Sequence, residues 1–354
     1  MTMQKQTFNF TGSIHCLEPL TVSIKEAAQG ARGHRLPRNG AALDSVKPYF
    51  PASSVRGALR NAAHRVVLRA VKKHSGEEHP FTIDDHFMLA QGVDSGRQID
   101  LDKVSGVTDL NEELRVENPM LSVFGRWGME SHLAVGHGFP TSQDVCWGMY
   151  GGGARGIVFE RDPNLLNDLT IEDSDRLEQI LLEQTAAAGD VAEIKKEITA
   201  LKKTLRGASQ EEREAGNARI NLLEEQIKAR KQEKSGPVES IRRPLDPFEA
   251  FSADAELSHR MALRSATQSE LGLLLLTLRE FARDPQLGGH KAHNCGSISA
   301  QWTVTTWPED TDAPIEVGSV AITPDGFIVN GDILKDAMVA FNTALPAFNF
   351  KRAV

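Results

Sequence analysis

The sequence predicts an α+β fold, with strands and helices alternating at both ends of the chain. Residues 5–15 (KQTFNFTGSIH) partly alternate between polar and apolar positions, which is typical of a strand. Apolar residues then recur at helical spacing from Val55 to Ala70. Residues 247–305 carry the pattern of a second strand, a helix and a third strand.

The first helix is predicted to begin after Pro51, with Ser53 or Ser54 as its N-cap. Beside its apolar stripe lie two basic rows, composed of Arg56, Arg60 and His64, and of Arg65, Arg69 and Lys73. Gly57 costs such a helix roughly 1 kcal/mol of stability. We therefore expect another element or a ligand to approach the backbone closely at Gly57.

The C-terminal part contains a clearer strand–helix–strand pattern. The strand ELSHRMALRSA leads into Thr267 and Glu270, which are spaced as a capping box. The leucine-rich helix that follows is apolar over more than one face and is predicted to be buried, with Pro285 and a glycine pair after its end. The next segment, ISAQWTVTTW, alternates as a strand does.

Strand, helix, middle region, strand, helix, strand is the order of a ferredoxin-like, or RNA-recognition-motif-like, core with helices on one face of an antiparallel sheet. We assign this core to residues 1–76 and 247–354, and we interpret residues 77–160 and 161–246 as large insertions. Because the chain has only two tyrosines and scattered phenylalanines, no aromatic stacking platform for single-stranded RNA is expected.

The two insertions differ in character. Residues 77–150 are acidic and glycine-rich, and they predict an irregular segment with a few short elements. Residues 175–234 instead show heptad spacing, interrupted near Gly207, among lysines and glutamates. This second pattern predicts an antiparallel helical hairpin that projects from the core as a solvated arm.

Composition is that of a soluble, cytoplasmic protein without a disulfide framework. Of the 354 residues, 40% are hydrophobic and 25% are charged, and the three cysteines lie far apart. The N-terminus lacks the apolar region of a signal peptide, and no apolar run is long enough for a membrane span. We therefore expect no membrane partner.

Charge is distributed unevenly, although the net charge is −8. Residues 27–73 contain ten Lys and Arg residues and one acid, Asp44, whereas residues 77–117 contain eleven acids and three basic residues. A solvated helix face would explain such a basic segment. A protein that grips a phosphate backbone also needs only one basic surface, because neutralised phosphates release their counterions locally.

Two constellations favour phosphate binding over the solvated face. The segment from Pro51 to Arg60 (PASSVRGALR) places hydroxyls, free backbone N–H groups and a positive dipole at a helix start. The segment from Gly288 to Gly296 (GGHKAHNCG) is a glycine-rich loop whose backbone can approach a phosphodiester, with Lys and His as donors. A plain turn would also explain the second segment.

In this order, the two segments resemble the paired motifs of the CRISPR-associated RAMP superfamily. PYFPASSVRGALR looks like its proline, double-serine and Arg/Lys-Gly signature, and ELGLLLLTLREF with LGGHKAHNCGSISAQW looks like its C-terminal helix and glycine-rich loop. The match covers about residues 5–75 and 247–305. Within the superfamily, the chain most resembles the "Cas seven" backbone subunits that polymerise along a guide RNA, in particular the type IV subunit.

The resemblance implies a set of RNA-binding residues and partners. Guide phosphates would lie against Ser53, Ser54, Arg56, Gly57 and Arg60, with Gly288, Gly289, His290, Lys291 and His293 beside them and Arg32, Arg35, Arg38 and Lys47 adding charge. The insertions would act as fingers (77–160) and thumb (161–246). The implied partners are guide RNA (crRNA), target nucleic acid, further copies of the chain in a helical array and other CRISPR complex subunits. No cofactor, metal or catalytic residue is implied.

Enzymatic alternatives rest on single residues. Some relatives cleave target RNA with an aspartate before the double-serine motif, where this chain has Leu36, and Asp44 is the only acid in that loop. A guide-processing ribonuclease could use His15 or His34 as a general base. His290, His293 and Cys295 have metal-like spacing but lack a fourth ligand nearby.

A non-catalytic alternative is a protein–protein adaptor that uses the helical hairpin as its contact surface.

Overall fold

A computed structural model describes residues 5–22, 35–38, 47–93, 107–151, 153–155, 163–205, 210–232, 243–245, 247–308 and 310–351. Arg32, His34 and Asp44 therefore lie outside the described residues. In the described part of the chain, no helix combines the length and the apolar character that crossing a membrane requires.

The secondary structure follows the chain in this order: β1 (Gln6–Cys16), α1 (Ala52–Ser75), α2 (Ile83–Gln91), α3 (Val107–Glu117), α4 (Pro119–Phe124), β2 (Leu133–Val135), β3 (Phe139–Pro140), β4 (Trp147–Tyr150), β5 (Gly153–Arg155), α5 (Ile171–Thr204), α6 (Gln210–Gln232), β6 (Arg243–Leu245), β7 (Phe248–Phe251), β8 (Glu256–Ala266), α7 (Gln268–Phe281), β9 (Ile298–Thr306), β10 (Ile315–Thr323), β11 (Gly326–Asn330) and α8 (Asp332–Ala344). Contacts group these elements into two compact units, residues 1–151 with 247–354, and residues 152–246.

The first unit is built on an antiparallel sheet with the strand order β11-β10-β9-β1-β8-β2, and β3 also pairs with β8. Phe10 in the central strand lies opposite Met261 on one side and Val304 on the other. Residues opposite one another in neighbouring strands lie on the same face of the sheet. All three of these side chains are buried, so this face is covered by the core. The prediction of an α+β fold with an antiparallel sheet is confirmed.

Helices α1, α4, α7 and α8 contribute to the core that covers this face. The predicted burial of the leucine-rich helix is confirmed, since α7 is buried along almost its whole length. Gly272 allows α7 to approach α8, because a Cβ there would lie 2.0 Å from the carbonyl oxygen of Ala337. Each fully buried leucine of α7 contributes about 1.5–3 kcal/mol by leaving water.

The N-termini of α1 and α7 are capped differently. Thr267 and Glu270 form the predicted capping box at the start of α7. The predicted serine cap of α1 is wrong, because α1 begins at Ala52, one residue after Pro51, and no side chain caps it. Ser53 and Ser54 therefore lie inside the first turn of α1.

The segment predicted to be irregular contains three helices, α2, α3 and α4, and short strands that join the sheet. Helix α2 starts at a capping box formed by Thr82 and Asp85. Contacts place residues 77–151 in the same unit as the sheet.

The second unit contains the predicted antiparallel hairpin, formed by α5 and α6. Ile198 packs against Ile220 and Leu223 in a small core of its own. An Arg219–Glu197 pair at 3.0 Å bridges the two helices on the outside. Short strands β5 and β6 pair within the same unit.

Candidate nucleic-acid interface

Near the start of α1 lies Gly57, which no described residue covers, although several backbone N–H groups of the first turn are already bonded within the protein. Ala52 donates its N–H to Nδ1 of His137 at 3.0 Å, and Ser53 is exposed. Outside the helix's own neighbouring backbone, no described atom lies within 4 Å of the position that a Cβ on Gly57 would take. The positive end of the helix dipole and an open backbone therefore meet at this surface.

The glycine-rich loop packs against Thr21, a few residues after the end of β1. Gly288 has φ +75°, and a Cβ there would lie 2.1 Å from the carbonyl oxygen of Thr21. Gly289 donates its N–H to the same oxygen at 2.9 Å, yet the side where its Cβ would lie is open among the described residues. Gly288 is thus required for packing, whereas none of the described residues requires position 289 to be a glycine.

The tip of this loop carries one lysine and two histidines, one of which stacks on an aromatic ring. His290 adopts a left-handed conformation and stacks on Phe248, with ring centroids 4.1 Å apart and an interplanar angle of 11°. Lys291 and His293 are exposed. An anion or a nucleobase arriving from solvent can therefore reach these side chains.

Phe50 lies between the start of α1 and the glycine-rich loop, and we call this place the Phe50 junction. Its ring lies 3.5 Å from the Cβ position of Gly288, and Pro51 and the first turn of α1 follow it directly. Phe50 also exchanges backbone hydrogen bonds with Gly138, beside His137. Ser53, Ser54, Gly57 and the Gly288–His293 loop therefore belong to one region of the first unit.

Arg38 is not available to a ligand in the way that the sequence suggested. Its guanidinium donates to both carboxylate oxygens of Glu249, and the Arg38 side chain is 6% exposed. The N–H of Leu36 donates to the same carboxylate at 2.9 Å. Burial alone would raise the pKa of Glu249, but these hydrogen bonds outweigh it and hold the pKa below its ordinary value.

Arg60 is likewise a structural residue rather than a surface phosphate ligand. Its buried guanidinium donates to the carbonyl oxygens of Met88, Leu89 and Phe124, which lie at the ends of α2 and α4. Burial, with a smaller contribution from Arg56, lowers the pKa of Arg60 to about 10. Arg60 therefore ties three helices together.

Arg56 is half-buried and also donates to the carbonyl oxygen of Phe124. Burial lowers the pKa of Arg56 as well.

The remaining predicted residues occupy different places. Arg35 is half-buried and close enough to Glu249 for its charge to help lower the pKa of that carboxyl. The exposed Lys47 donates to the carbonyl oxygen of Ser142 at 2.9 Å. His15 lies 3.6 Å from the exposed carboxylate of Asp254 at the surface.

The metal-like spacing in the glycine-rich loop does not form a ligand set. Cys295 is buried, and its thiol contacts the carbonyl oxygen of His293 rather than either imidazole. Burial raises the pKa of Cys295. Within the described ranges, no group of three His, Cys, Asp or Glu side chains is arranged to hold a metal ion.

Sequence patterns did not point to two residues of this region, His137 and Glu249. His137 accepts from the first N–H of α1, and Glu249 neutralises Arg38. Both lie more than 80 residues from their partners along the chain, so local periodicity carries no signal for them.

Comparison with known proteins assigns no family. No known protein-family profile matches the chain, and no characterised protein matches it at a significant level. The chain is thus an α+β protein with an antiparallel sheet, whose function has to be inferred from the site.

Proposed function

We propose that this protein is a backbone subunit of a CRISPR effector complex, which binds the phosphate backbone of a guide RNA and polymerises along it. The start of α1 and the glycine-rich loop would hold the guide phosphates. Ser53, Ser54, Gly57, Gly289 and Lys291 are the residues that carry this role. The guide would then be positioned for pairing with a target nucleic acid.

The fold supports the proposal. Strands β9, β1, β8 and β2 lie side by side in that order, α1 follows β1, and α7 connects β8 to β9. A ferredoxin-like core has the same order of strands and helices. We propose that the first unit is such a core, with additional strands β10 and β11 at one edge.

The observation that carries the proposal is the open backbone at Gly57, next to the Phe50 junction. A glycine inside a helix costs about 1 kcal/mol relative to alanine, and among the described residues no packing contact explains it. An external ligand that approaches the helix backbone closely does explain it. A phosphodiester also suits the adjacent dipole and the lysine of the loop.

We propose a scaffold rather than a nuclease. The sequence position that corresponds to the catalytic aspartate of cleaving relatives is Leu36, whose side chain is buried in the core. A buried leucine offers no group that can shift a proton or bind a cation at a scissile bond.

Binding of labelled, unrelated RNA oligomers at several salt concentrations tests phosphate recognition. The variant Lys291→Ala should weaken binding to all sequences by similar factors and reduce the slope of log K against log salt by about 0.7. Lys335→Ala, at an exposed position of α8, is the matched control and should leave the slope unchanged. A loss confined to particular sequences would contradict phosphate recognition.

Polymerisation is tested by measuring the mass of the complex with guides of increasing length. Stepwise addition of copies with guide length is expected for a head-to-tail array. A fixed mass at every guide length would contradict the backbone role, and a constant dimer joined through the helical hairpin would favour the adaptor alternative.

A further inference from the structure

A separate groove opens on the first unit, between the end of α2, the turn that follows α4, and strands β2 and β8. Its volume is about 540 Å³, and it lies beside Arg56 rather than at the Phe50 junction. Four arginines (Arg56, Arg60, Arg126 and Arg264) and one acid, Glu130, are among its lining residues. The groove therefore carries a clear excess of positive charge.

Trp127 stands at the rim of this groove and is 80% exposed. It occupies the tip of a tight turn in which Arg126 and Met129 exchange backbone hydrogen bonds, and Gly128 supplies the positive φ of +77°. The turn does not need an indole, since small polar residues or proline favour turn positions. At the rim of a groove lined by arginines, an exposed indole offers a flat face on which a planar ligand can stack.

The backbone of the turn that carries Trp127 is bonded to the end of α2. The backbone N–H of Trp127 donates to the carbonyl oxygen of Gly92 at 3.0 Å, and this bond ties the turn to the end of α2. Arg60 donates to the neighbouring carbonyls of the same helix end. Because the backbone at Trp127 is fixed in this way, ligand binding need order only the indole side chain and not the whole turn.

We infer that this groove binds one nucleotide of a single-stranded nucleic acid, with its base stacked on Trp127 and its phosphate near Arg56 and Arg264. The inference rests on the proposed function and adds a base-stacking contact to it. Stacking on an aromatic residue tolerates any base, because every base has a π-face. An acidic peptide would use the arginines but would have no need for the flat indole.

The first experiment compares oligouridine of about 12 nucleotides with an abasic phosphodiester of the same length, because that length spans an ordinary single-strand site. Trp127→Ala should weaken oligouridine binding about 5- to 100-fold, the range expected for loss of one stacked base. It should leave the weaker abasic binding unchanged, and Trp127→Phe should restore most of the affinity. Trp307→Ala is the control, because Trp307 is 60% exposed and its indole N–H donates to Thr311.

Several outcomes would overturn the inference. Equal oligouridine affinity of wild type and Trp127→Ala would overturn it while leaving guide binding intact. Equal losses for the oligouridine and abasic ligands, or displacement of oligouridine by polyglutamate that depends on Trp127, would also overturn it. A Trp127-dependent affinity for oligothymidine without affinity for oligouridine would support base stacking and would contradict the guide-RNA function.

Discussion

Phe50 packs against Gly288, and its ring lies 3.5 Å from the position that a Cβ on that glycine would take. The contact joins two segments that lie more than 230 residues apart in the sequence. Gly288 also packs on Thr21, so a larger residue at position 288 would push the glycine-rich loop away from the start of α1. The proposed phosphate site therefore depends on a tertiary contact between its two halves.

Gly57→Ala should separate ligand binding from folding. A methyl group on Gly57 meets no described atom within 4 Å, so the variant should gain about 1 kcal/mol in its free energy of unfolding. The same methyl group should weaken RNA binding, because it obstructs approach to the helix backbone. Urea unfolding and an RNA titration on the same preparation measure the two effects.

The control for this prediction is Gly272→Ala, whose Cβ would lie 2.0 Å from the carbonyl oxygen of Ala337. That variant should be less stable than wild type. A Gly57→Ala protein that binds RNA as tightly as wild type would remove the main support for a ligand at this helix.

Glu249→Gln should destabilise the protein by about 3 kcal/mol or more near pH 7, because it leaves the buried Arg38 without a countercharge. The pKa of Glu249 is lowered in the folded state, so its stabilisation is present above the ordinary value and is lost as the pH falls through the lowered value. The difference in unfolding free energy between wild type and variant should therefore shrink as the pH falls below 4.5, the ordinary pKa of a glutamate.

The measurement is urea unfolding of both proteins across this pH range. Glu112→Gln is the matched control, since Glu112 pairs with Lys5 at the surface and should cost less than about 1 kcal/mol. A difference between Glu249→Gln and wild type that stays constant with pH would show that the ion pair does not provide the stabilisation.

Periodicity predicted the central strands and α1, because each of them has one face on the core, whereas α7 was predicted from its run of leucines and is buried almost all round. The capping box of α7 could be predicted because its two residues, Thr267 and Glu270, are only three residues apart in the sequence. A similar capping box, formed by Thr82 and Asp85, is present in the sequence. Helix α2 was nevertheless not predicted, because it lies in a segment rich in acidic residues. Local signals of this kind require no knowledge of the tertiary structure.

The roles of the arginines could not be predicted in this way. Arg60 lies beside the apolar stripe of α1, and only the arrival of two helix ends turns its guanidinium inward. Gly92, at φ +75°, makes room for that guanidinium, because a Cβ there would lie 3.0 Å from it. A basic residue at a helix surface can bind phosphate or cap a neighbouring helix, and the sequence alone does not separate these roles.

His259 should make stability depend on pH in the mildly acidic range. Its buried imidazole accepts from the indole N–H of Trp302 at 3.2 Å, and burial lowers its pKa from 6.5 to about 4. Because protonation then favours the unfolded chain, stability is full above pH 6.5 and decreases as the pH falls towards 4. The total loss from this residue is about 3 kcal/mol.

His259→Gln keeps an acceptor for Trp302 but cannot titrate, so it should flatten the dependence of unfolding free energy on pH. The slope should not vanish, because burial and the neighbouring His86 also lower the pKa of His64. His79→Gln, at an exposed position, controls for removing one histidine. An unchanged slope in His259→Gln would assign the acid sensitivity to other groups.

The guide-loaded protein should leave a complementary RNA intact in the presence of magnesium or manganese. Leu36 is 3% exposed and its N–H is bonded to Glu249, so the position at which RNA-cleaving members of the proposed superfamily have an aspartate lies inside this protein. Asp44 is the acid that could take over this role, since it belongs to the same loop in the sequence. A time course with end-labelled target RNA is the measurement, with Asp44→Ala prepared in parallel. Regularly spaced cuts that disappear in Asp44→Ala would show that the loop carries a catalytic carboxylate and that the protein is a nuclease, because a contaminating enzyme would cleave equally in both preparations.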